Sequence, residues 1–275
     1  MRSRITITIS QDLLSKVDTA IDGNTIRNRS QAIETLLRQA IEPKIDTAVI
    51  LAGGPGTKLP AHKGKPAALI PLGNTTLIEH TLAHLKHFGF TTIILTVSAK
   101  DTTIKKLLGN GRRFGLNIIY SQESTPVGTG GALKKATHLI PKQPFLLLHA
   151  DILTNINLDE FTNFFIGQDK LAAVAIKPRP GKLSYGRVYL EGSNIIAFEE
   201  PKKETAISLI NTGIYLLDHA CLNLLPKTKR FRLEDTLIPK LVHDKQLSGY
   251  TFQGVWFDVT APEDYHEAKS RLSEL

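Results

Sequence analysis

The sequence predicts an α/β fold in two unequal pieces: a large, mostly parallel sheet covered by helices, preceded by a small strand–helix–helix unit. Two observations carry this expectation. From Asp46 onward, short apolar runs of strand length alternate with helix-length stretches, the pattern of a parallel sheet with helices on both faces. Before that point the pattern differs, and Glu42-Pro43-Lys44 breaks it, so the expected domains are 1–44 and 45–275.

Alternation from Arg4 to Ile9 puts Ile5, Ile7 and Ile9 on one strand face and Arg4, Thr6 and Thr8 on the other. Ser10 is placed to cap a helix with Leu13, Leu14, Val17 and Ile21 on one side, and Gly23-Asn24 to end it. Ser30 is expected to cap a second helix, striped by Ile33, Leu36, Leu37 and Ile41. One strand and two short helices leave a backbone edge unpaired and apolar surface uncovered. The economical remedy is a homodimer whose two strands pair as an antiparallel ribbon. The RxTxT strand and Asn28-Arg29-Ser30 resemble the ribbon-helix-helix family of DNA-binding proteins. That resemblance implies DNA as a partner, with Arg4, Thr6 and Thr8 reading bases and the amides at Asn28, Arg29 and Ser30 holding phosphates. A dimerisation segment that touches no DNA fits the same residues, and dimerisation follows under either reading.

In the larger piece the expected strands are Thr47–Leu51, Thr91–Val97, Leu116–Tyr120, Phe145–Leu148 and Leu171–Ile176. Helical stretches Leu77–Phe88, Asp101–Leu108, Gly131–Leu139 and Leu158–Phe165 separate or follow them. Beyond about residue 178 the order loosens into strand-rich sequence, and Pro262 opens a closing helix.

The totals narrow the partners. With 275 residues, 41% hydrophobic and 22% charged, the chain has the composition of a soluble globular protein able to bury a large core. A formal charge of +8 favours anionic partners such as nucleotides, phosphosugars or nucleic acid. Cys221 is the only cysteine, which excludes an intramolecular disulfide and a cysteine-based zinc cluster. The N-terminus lacks the continuous apolar core of a signal peptide, and no apolar stretch approaches membrane-spanning length. A cytoplasmic location without membrane contact is therefore expected.

The chemistry starts at Leu51-Ala52-Gly53-Gly54-Pro55-Gly56-Thr57-Lys58, with Lys65-Pro66 downstream. An apolar strand breaks into a glycine loop whose backbone N–H groups can turn inward around an anion, and lysines add positive charge at its mouth. A triphosphate cradle and an ordinary glycine-rich turn both fit this segment alone. It is not a Walker A loop, because Pro66 follows Lys65 where Ser or Thr is required, and it does not complete GxGxxG.

Other segments follow in order. They are Glu123-Ser-Thr-Pro-Val-Gly128-Thr129-Gly130-Gly131, Leu148-His149-Ala150-Asp151, Tyr185-Gly186, Phe198-Glu199-Glu200-Pro201, Asn211-Thr212-Gly213 and Trp256-Phe257-Asp258-Val259, then Pro262-Glu263-Asp264-Tyr265. Together with the glycine loop these resemble the sugar-1-phosphate nucleotidyltransferases over nearly all of residues 46–270, and within them the branch acting on mannose- or heptose-type phosphates with GTP. The resemblance implies a Rossmann-like sheet sandwiched by helices, of the nucleotide-diphospho-sugar transferase type.

It also implies roles. Leu51, Ala52, Gly53, Gly54, Gly56, Thr57, Glu123, Gly128 and Thr129 would bind the nucleoside triphosphate, Glu123 reading the base. Lys65 and Lys58 would stabilise phosphate charge, and Asp151 and Asp258 would hold Mg²⁺. Gly186, Glu199 and Asn211 would hold the sugar. Four residues depart from the family pattern: Lys58 for arginine, Ala150 for glycine, Glu200 for lysine and Thr260 for glycine. Those departures leave a rival expectation, a DNA-binding regulator whose larger domain only senses a nucleotide or nucleotide sugar.

Overall fold

The computed structural model describes residues 6–23, 26–41, 44–54, 57, 59–100, 102–181, 186–199 and 205–272. Its contacts divide the chain into two compact units, Met1–Lys44 and Ile45–Leu275. Among the described residues no helix is long and apolar enough to cross a membrane.

In the first unit α1 spans Gln11–Thr19 and α2 spans Arg29–Ile41. Ser10 caps α1 as expected, its hydroxyl accepting from the Leu13 N–H at 3.4 Å. The second cap is a correction. Asn28, not Ser30, precedes α2, its Oδ1 accepting from the Gln31 N–H at 3.0 Å and its carbonyl from the Ala32 N–H at 2.9 Å. An amide oxygen at that position satisfies a first-turn donor as well as a hydroxyl does, so the helix starts earlier and Ser30 falls inside it. Arg29 joins the helices through a two-pronged ion pair with Asp18, Nε–Oδ1 at 2.7 Å and Nη2–Oδ2 at 2.8 Å. Thr6, Thr8 and the rest of residues 6–10 belong to no strand or helix within the single chain, and Arg4 lies outside the described residues. Val17 and Ala32 are buried, whereas Ile7, Leu13, Leu36 and Leu37 are exposed.

The second unit opens with β1 (Thr47–Leu51), the short pair β2 (Pro71–Leu72) and β3 (Thr75–Thr76), and α3 (Leu77–His87). Next come β4 (Thr92–Ser98), α4 (Thr103–Leu108), β5 (Asn117–Glu123), α5 (Gly128–Ala136), β6 (Phe145–His149), β7 (Ile152–Thr154) and α6 (Leu158–Ile166). Four strands follow: β8 (Ala172–Gly181), β9 (Arg187–Glu191), β10 (Asn194–Glu199) and β11 (Thr205–Leu217). α7 (Leu237–His243), β12 (Leu247–Thr251), β13 (Trp256–Asp258) and α8 (Pro262–Ser270) complete it.

Nine strands form one mixed sheet in the order β5-β4-β1-β6-β11-β8-β12-β10-β9. β5, β4, β1 and β6 run parallel, as the alternation predicted. β11 is antiparallel to both β6 and β8, and β10 to both β12 and β9, so parallel pairing prevails on one side of the sheet only. Strand side chains alternate between two cores. Ala48, Ile50, Leu146 and Leu148 meet Leu82 of α3, Ile104 of α4 and Phe161 of α6. Val49, Phe145 and Leu147 meet Leu133 of α5 and Leu237 and Leu241 of α7. Burial on both faces is why these strands read as unbroken apolar runs.

α5 begins at Gly128, three residues before the expected Gly131. The Phe231 carbonyl accepts from the N–H groups of Gly130 and Gly131 at 3.1 and 3.2 Å, doing the work of a cap from a distant segment.

Candidate active site

Parallel strands present their carboxyl ends on one edge, where open α/β sheets bind ligands. β1 runs out there into Ala52, whose N–H donates to the Thr96 carbonyl at 3.0 Å, and the Ala150 N–H after β6 donates to the Leu51 carbonyl at 3.2 Å. The loop then returns on itself. The Thr57 N–H donates to the Lys65 carbonyl at 2.8 Å, its own carbonyl accepts from Gly64 at 2.9 Å, and its buried hydroxyl accepts from the Leu59 N–H at 3.1 Å. These bonds close residues 57–65 into a loop that carries Lys65 with its side chain exposed. Gly54 is exposed at the turn. Gly56 and Lys58 lie outside the described residues.

Glu123, the last residue of β5, sits directly beneath that turn and is 4% exposed. A Cβ on Gly53 would lie 2.8 Å from Glu123 Cδ and nearer still to Oε1, so the backbone passes over the carboxylate only because residue 53 is glycine. Burial holds the Glu123 pKa above the usual carboxylate value, against the opposing pull of the Val127 N–H, the Thr96 hydroxyl and the Lys135 ammonium. Its Oε1 is buried with no hydrogen-bond partner among the described residues.

Asp151 and Asp258 are far apart in sequence and adjacent in space. β13 pairs antiparallel with β7 in the register Asp258–Ile152, and the Val259 N–H donates to the Asp151 carbonyl at 3.0 Å. Both side chains line one hollow of about 120 Å³. Burial raises the Asp151 pKa; the His149 ring opposes this, and the neighbouring Asp258 charge adds to it. Asp151 Oδ1 is buried without a hydrogen-bond partner among the described residues. Two carboxylates crowded in this way, one with an orphaned oxygen, fit a divalent cation. Among the described residues no group of three or more His, Cys, Asp or Glu is placed to hold a metal, so such an ion would draw its other ligands from substrate and water.

Asp258 is held firmly. Its Oδ1 accepts from the Thr260 N–H at 2.9 Å and the Thr260 hydroxyl at 2.6 Å. Its own N–H donates to Asp264 Oδ2 at 3.1 Å, and Asp264 is ion-paired with Arg179. Thr260, a departure from the expected motif, thus gives the carboxylate a second donor.

The sugar-side expectations divide. Gly186 and Asn211 line the same hollow. Asn211 is fixed by its Oδ1 accepting from the Gly213 N–H at 3.0 Å and its Nδ2 donating to the Tyr215 hydroxyl at 2.5 Å. A register shift in β11 against β8 between Asn211 and Tyr215 makes a bulge there, and Gly213 accommodates it with φ +75°. Glu199 instead ends β10 on the exposed surface, accepting from the Tyr189 hydroxyl at 3.2 Å. Gly128 opens α5, and the Thr129 hydroxyl donates to Glu234 Oε2 at 2.8 Å.

Sequence reasoning missed His149, Arg232 and Glu234, which also line the hollow. Glu234 is 8% exposed, its Oε1 3.7 Å from His149 Nε2 and its Oε2 3.6 Å from Arg232 Nε. Glu234 sits in the polar run from Lys227 to Thr236, where no periodicity sets it apart from its charged neighbours. A larger cavity of about 430 Å³ between α3 and β6–β7 is lined by His80, His84, His87 and mostly apolar side chains, with no carboxylate, lysine or arginine among the described residues.

Residues 47–274 match the sequence family described as Nucleotidyl transferase. Mannose-1-phosphate guanyltransferase of Saccharomyces cerevisiae is 30% identical over 224 residues, covering 79% of this chain and 62% of that protein. D-glycero-alpha-D-manno-heptose 1-phosphate guanylyltransferase of Aneurinibacillus thermoaerophilus is 29% identical over 226 residues, covering 82% of this chain and 97% of that one. The chain therefore spans about three fifths of the yeast relative and nearly all of the bacterial one. Among solved structures, HddC from Yersinia pseudotuberculosis superposes with a TM-score of 0.73 at 23% identity, covering 83% of this chain and all of that one. A UDP-glucose pyrophosphorylase complexed with UDP-glucose does so with a TM-score of 0.66 at 20% identity, covering 84% and 99%. At those identities the likeness is one of fold. Transferases of this kind generally use divalent metal ions. The sequence match runs from β1 to beyond α8 and takes in the glycine turn and both aspartates, and on that ground the chain belongs to the nucleotidyl transferase family.

Proposed function

We propose that this chain joins GTP and a mannose- or heptose-type sugar 1-phosphate to give a GDP-sugar and pyrophosphate. A phosphate oxygen of the sugar 1-phosphate attacks the α-phosphorus, the bond from that phosphorus to the bridging oxygen of the β-phosphate breaks, and pyrophosphate leaves. The nucleophile is already an anion, so alignment and charge compensation matter more than a general base. The observation that carries this reading is the meeting of Asp151 and Asp258 in one hollow, on the edge where the glycine turn emerges. Mg²⁺ held by those carboxylates would offset phosphate charge. Lys65, with Lys58, stabilises the α- and β-phosphates, and the backbone from Leu51 to Thr57 receives the nucleotide, with Gly128 and Thr129 at its border. Gly186 and Asn211 hold sugar hydroxyls.

The Glu123 carboxylate, acceptor-only when ionised and with Oε1 unpartnered among the described residues, supports guanine, whose adjacent N1–H and N2–H₂ donors it matches. The names of the mannose and heptose relatives support the same choice of base and sugar class. They do not favour a degenerate domain that only senses nucleotides. Incubating the protein with each nucleoside triphosphate, Mg²⁺ and a panel of sugar 1-phosphates, and measuring pyrophosphate, tests the proposal in a cytoplasm-like buffer. Folded protein that turns over no pair would overturn it.

For the first unit the reading is a homodimer of ribbon-helix-helix type with DNA as partner, through Arg4, Thr6, Thr8 and the start of α2. Exposure of Ile7, Leu13, Leu36 and Leu37 supports the association of two copies. Light scattering should give a dimer for the chain and a monomer for the Leu36→Ser, Leu37→Ser double variant. A monomer in both cases would remove the ribbon.

A further inference from the structure

The hollow that holds Asp151 and Asp258 carries a third carboxylate, Glu234. Among the described residues lining it, Arg232 is the only lysine or arginine. A sugar 1-phosphate is a dianion near neutral pH, and beside three carboxylates it needs a fixed positive charge of its own. Lys65 lies on the loop of residues 57–65 and does not line this hollow.

Arg232 is anchored where that charge is required. Its Nε lies 3.6 Å from Glu234 Oε2 and its Nη1 4.0 Å from Asp235 Oδ1. Glu234 is in turn fixed by the Thr129 hydroxyl, and the Leu233 N–H donates to that same hydroxyl at 2.9 Å. The segment bearing the guanidinium is thus stitched to the first turn of α5, while the Arg232 side chain stays 53% exposed. A planar guanidinium presents paired donors that match phosphate oxygens in a way an ammonium cannot.

We propose that Arg232 binds the phosphate of the sugar 1-phosphate and sets the affinity for that substrate, while the lysine of the glycine loop serves the triphosphate. This rests on the transferase reading above. Because Arg232 is half exposed, Arg232→Gln and Arg232→Lys should fold, which circular dichroism and thermal melting will check.

With GTP and Mg²⁺ saturating, Arg232→Gln should raise KM for the sugar 1-phosphate by ~10–100-fold, the range for losing a charge-assisted hydrogen bond. KM for GTP should stay within about twofold, and Arg232→Lys should fall between. Calorimetric binding of the sugar 1-phosphate to protein with a non-hydrolysable GTP analogue should weaken in parallel. An unchanged KM for the sugar 1-phosphate, or an equal rise for both substrates, would overturn the assignment and leave the transferase reading standing. An unaltered protein with neither turnover nor binding for any pair would overturn both.

Discussion

Replacing Gly53 with alanine tests the arrangement of the turn above Glu123 most directly. The new methyl would lie 2.8 Å from Glu123 Cδ and 3.2 Å from Oε2, and closer than either to Oε1. The Ala99 N–H donates to the Glu123 carbonyl at 2.7 Å, so the side chain rather than the strand is the part that gives way. The buried carboxylate must therefore shift inside a packed site, an overpacking strain of ~1–3 kcal/mol. For a unit of this size that lowers Tm by about 2–4 °C for each kcal/mol. Gly54→Ala is the control. No atom of the described residues lies within 4 Å of a Cβ there, so its cost should stay within about 0.5 kcal/mol. Urea unfolding of both variants measures the difference, and the titration of GTP binding should show a loss for Gly53→Ala. Adding Glu123→Ala should relieve the clash, giving a coupling of ~0.5–3 kcal/mol in the double-mutant cycle. Equal stability of the two alanine variants, or additivity in the cycle, would refute the packing argument.

Three further outcomes follow from the same geometry. Asp151→Asn should cut kcat by ~10²–10³-fold, since the charge compensation at stake is several kcal/mol; without divalent cation it should also melt higher than the parent, because it removes a carboxylate that burial and Asp258 disfavour, and a lower Tm would contradict this. Thr260→Val removes one of two donors to Asp258 Oδ1 and should weaken Mn²⁺ affinity, read by electron paramagnetic resonance, by ~10-fold or more; unchanged affinity would show that the hydroxyl orients nothing. Glu123 has a raised pKa, so on acidification the folded protein takes up this proton before the unfolded chain does. GTP affinity should then fall at a pH above the usual glutamate range, while this group's contribution to stability rises as pH drops through that window; Glu123→Gln should flatten both profiles, measured by calorimetry and urea titration.

The parallel half of the sheet was legible because strands buried on both faces are continuous apolar runs, and β1, β4 and β6 are of that kind. Asp151 and Asp258 were legible through their flanking motifs, and Pro262 through its tolerance at the first position of a helix. What escaped depended on partners distant in sequence. The start of α5 is set by the Phe231 carbonyl, about a hundred residues away. The antiparallel seating of β11 between β6 and β8 has no local signature, since either strand direction shows the same alternation. Arg232 and Glu234 precede α7 outside any strand or helix, where no period marks which side chains point inward. Asn28 was passed over for Ser30 because both residue types cap helices, and local spacing alone does not choose between them.

The two-stranded ladder of β7 and β13 ties the chemistry to the order of synthesis. A nascent chain that has emerged as far as Thr251 already contains every strand of the nine-stranded sheet, yet it possesses just one of the paired acidic groups. The tail that follows must lie down alongside β7 before the second arrives. Capture of a divalent ion would then report that translation has passed residue 258, and a fragment ending shortly before it would carry every strand of the large sheet without the second carboxylate.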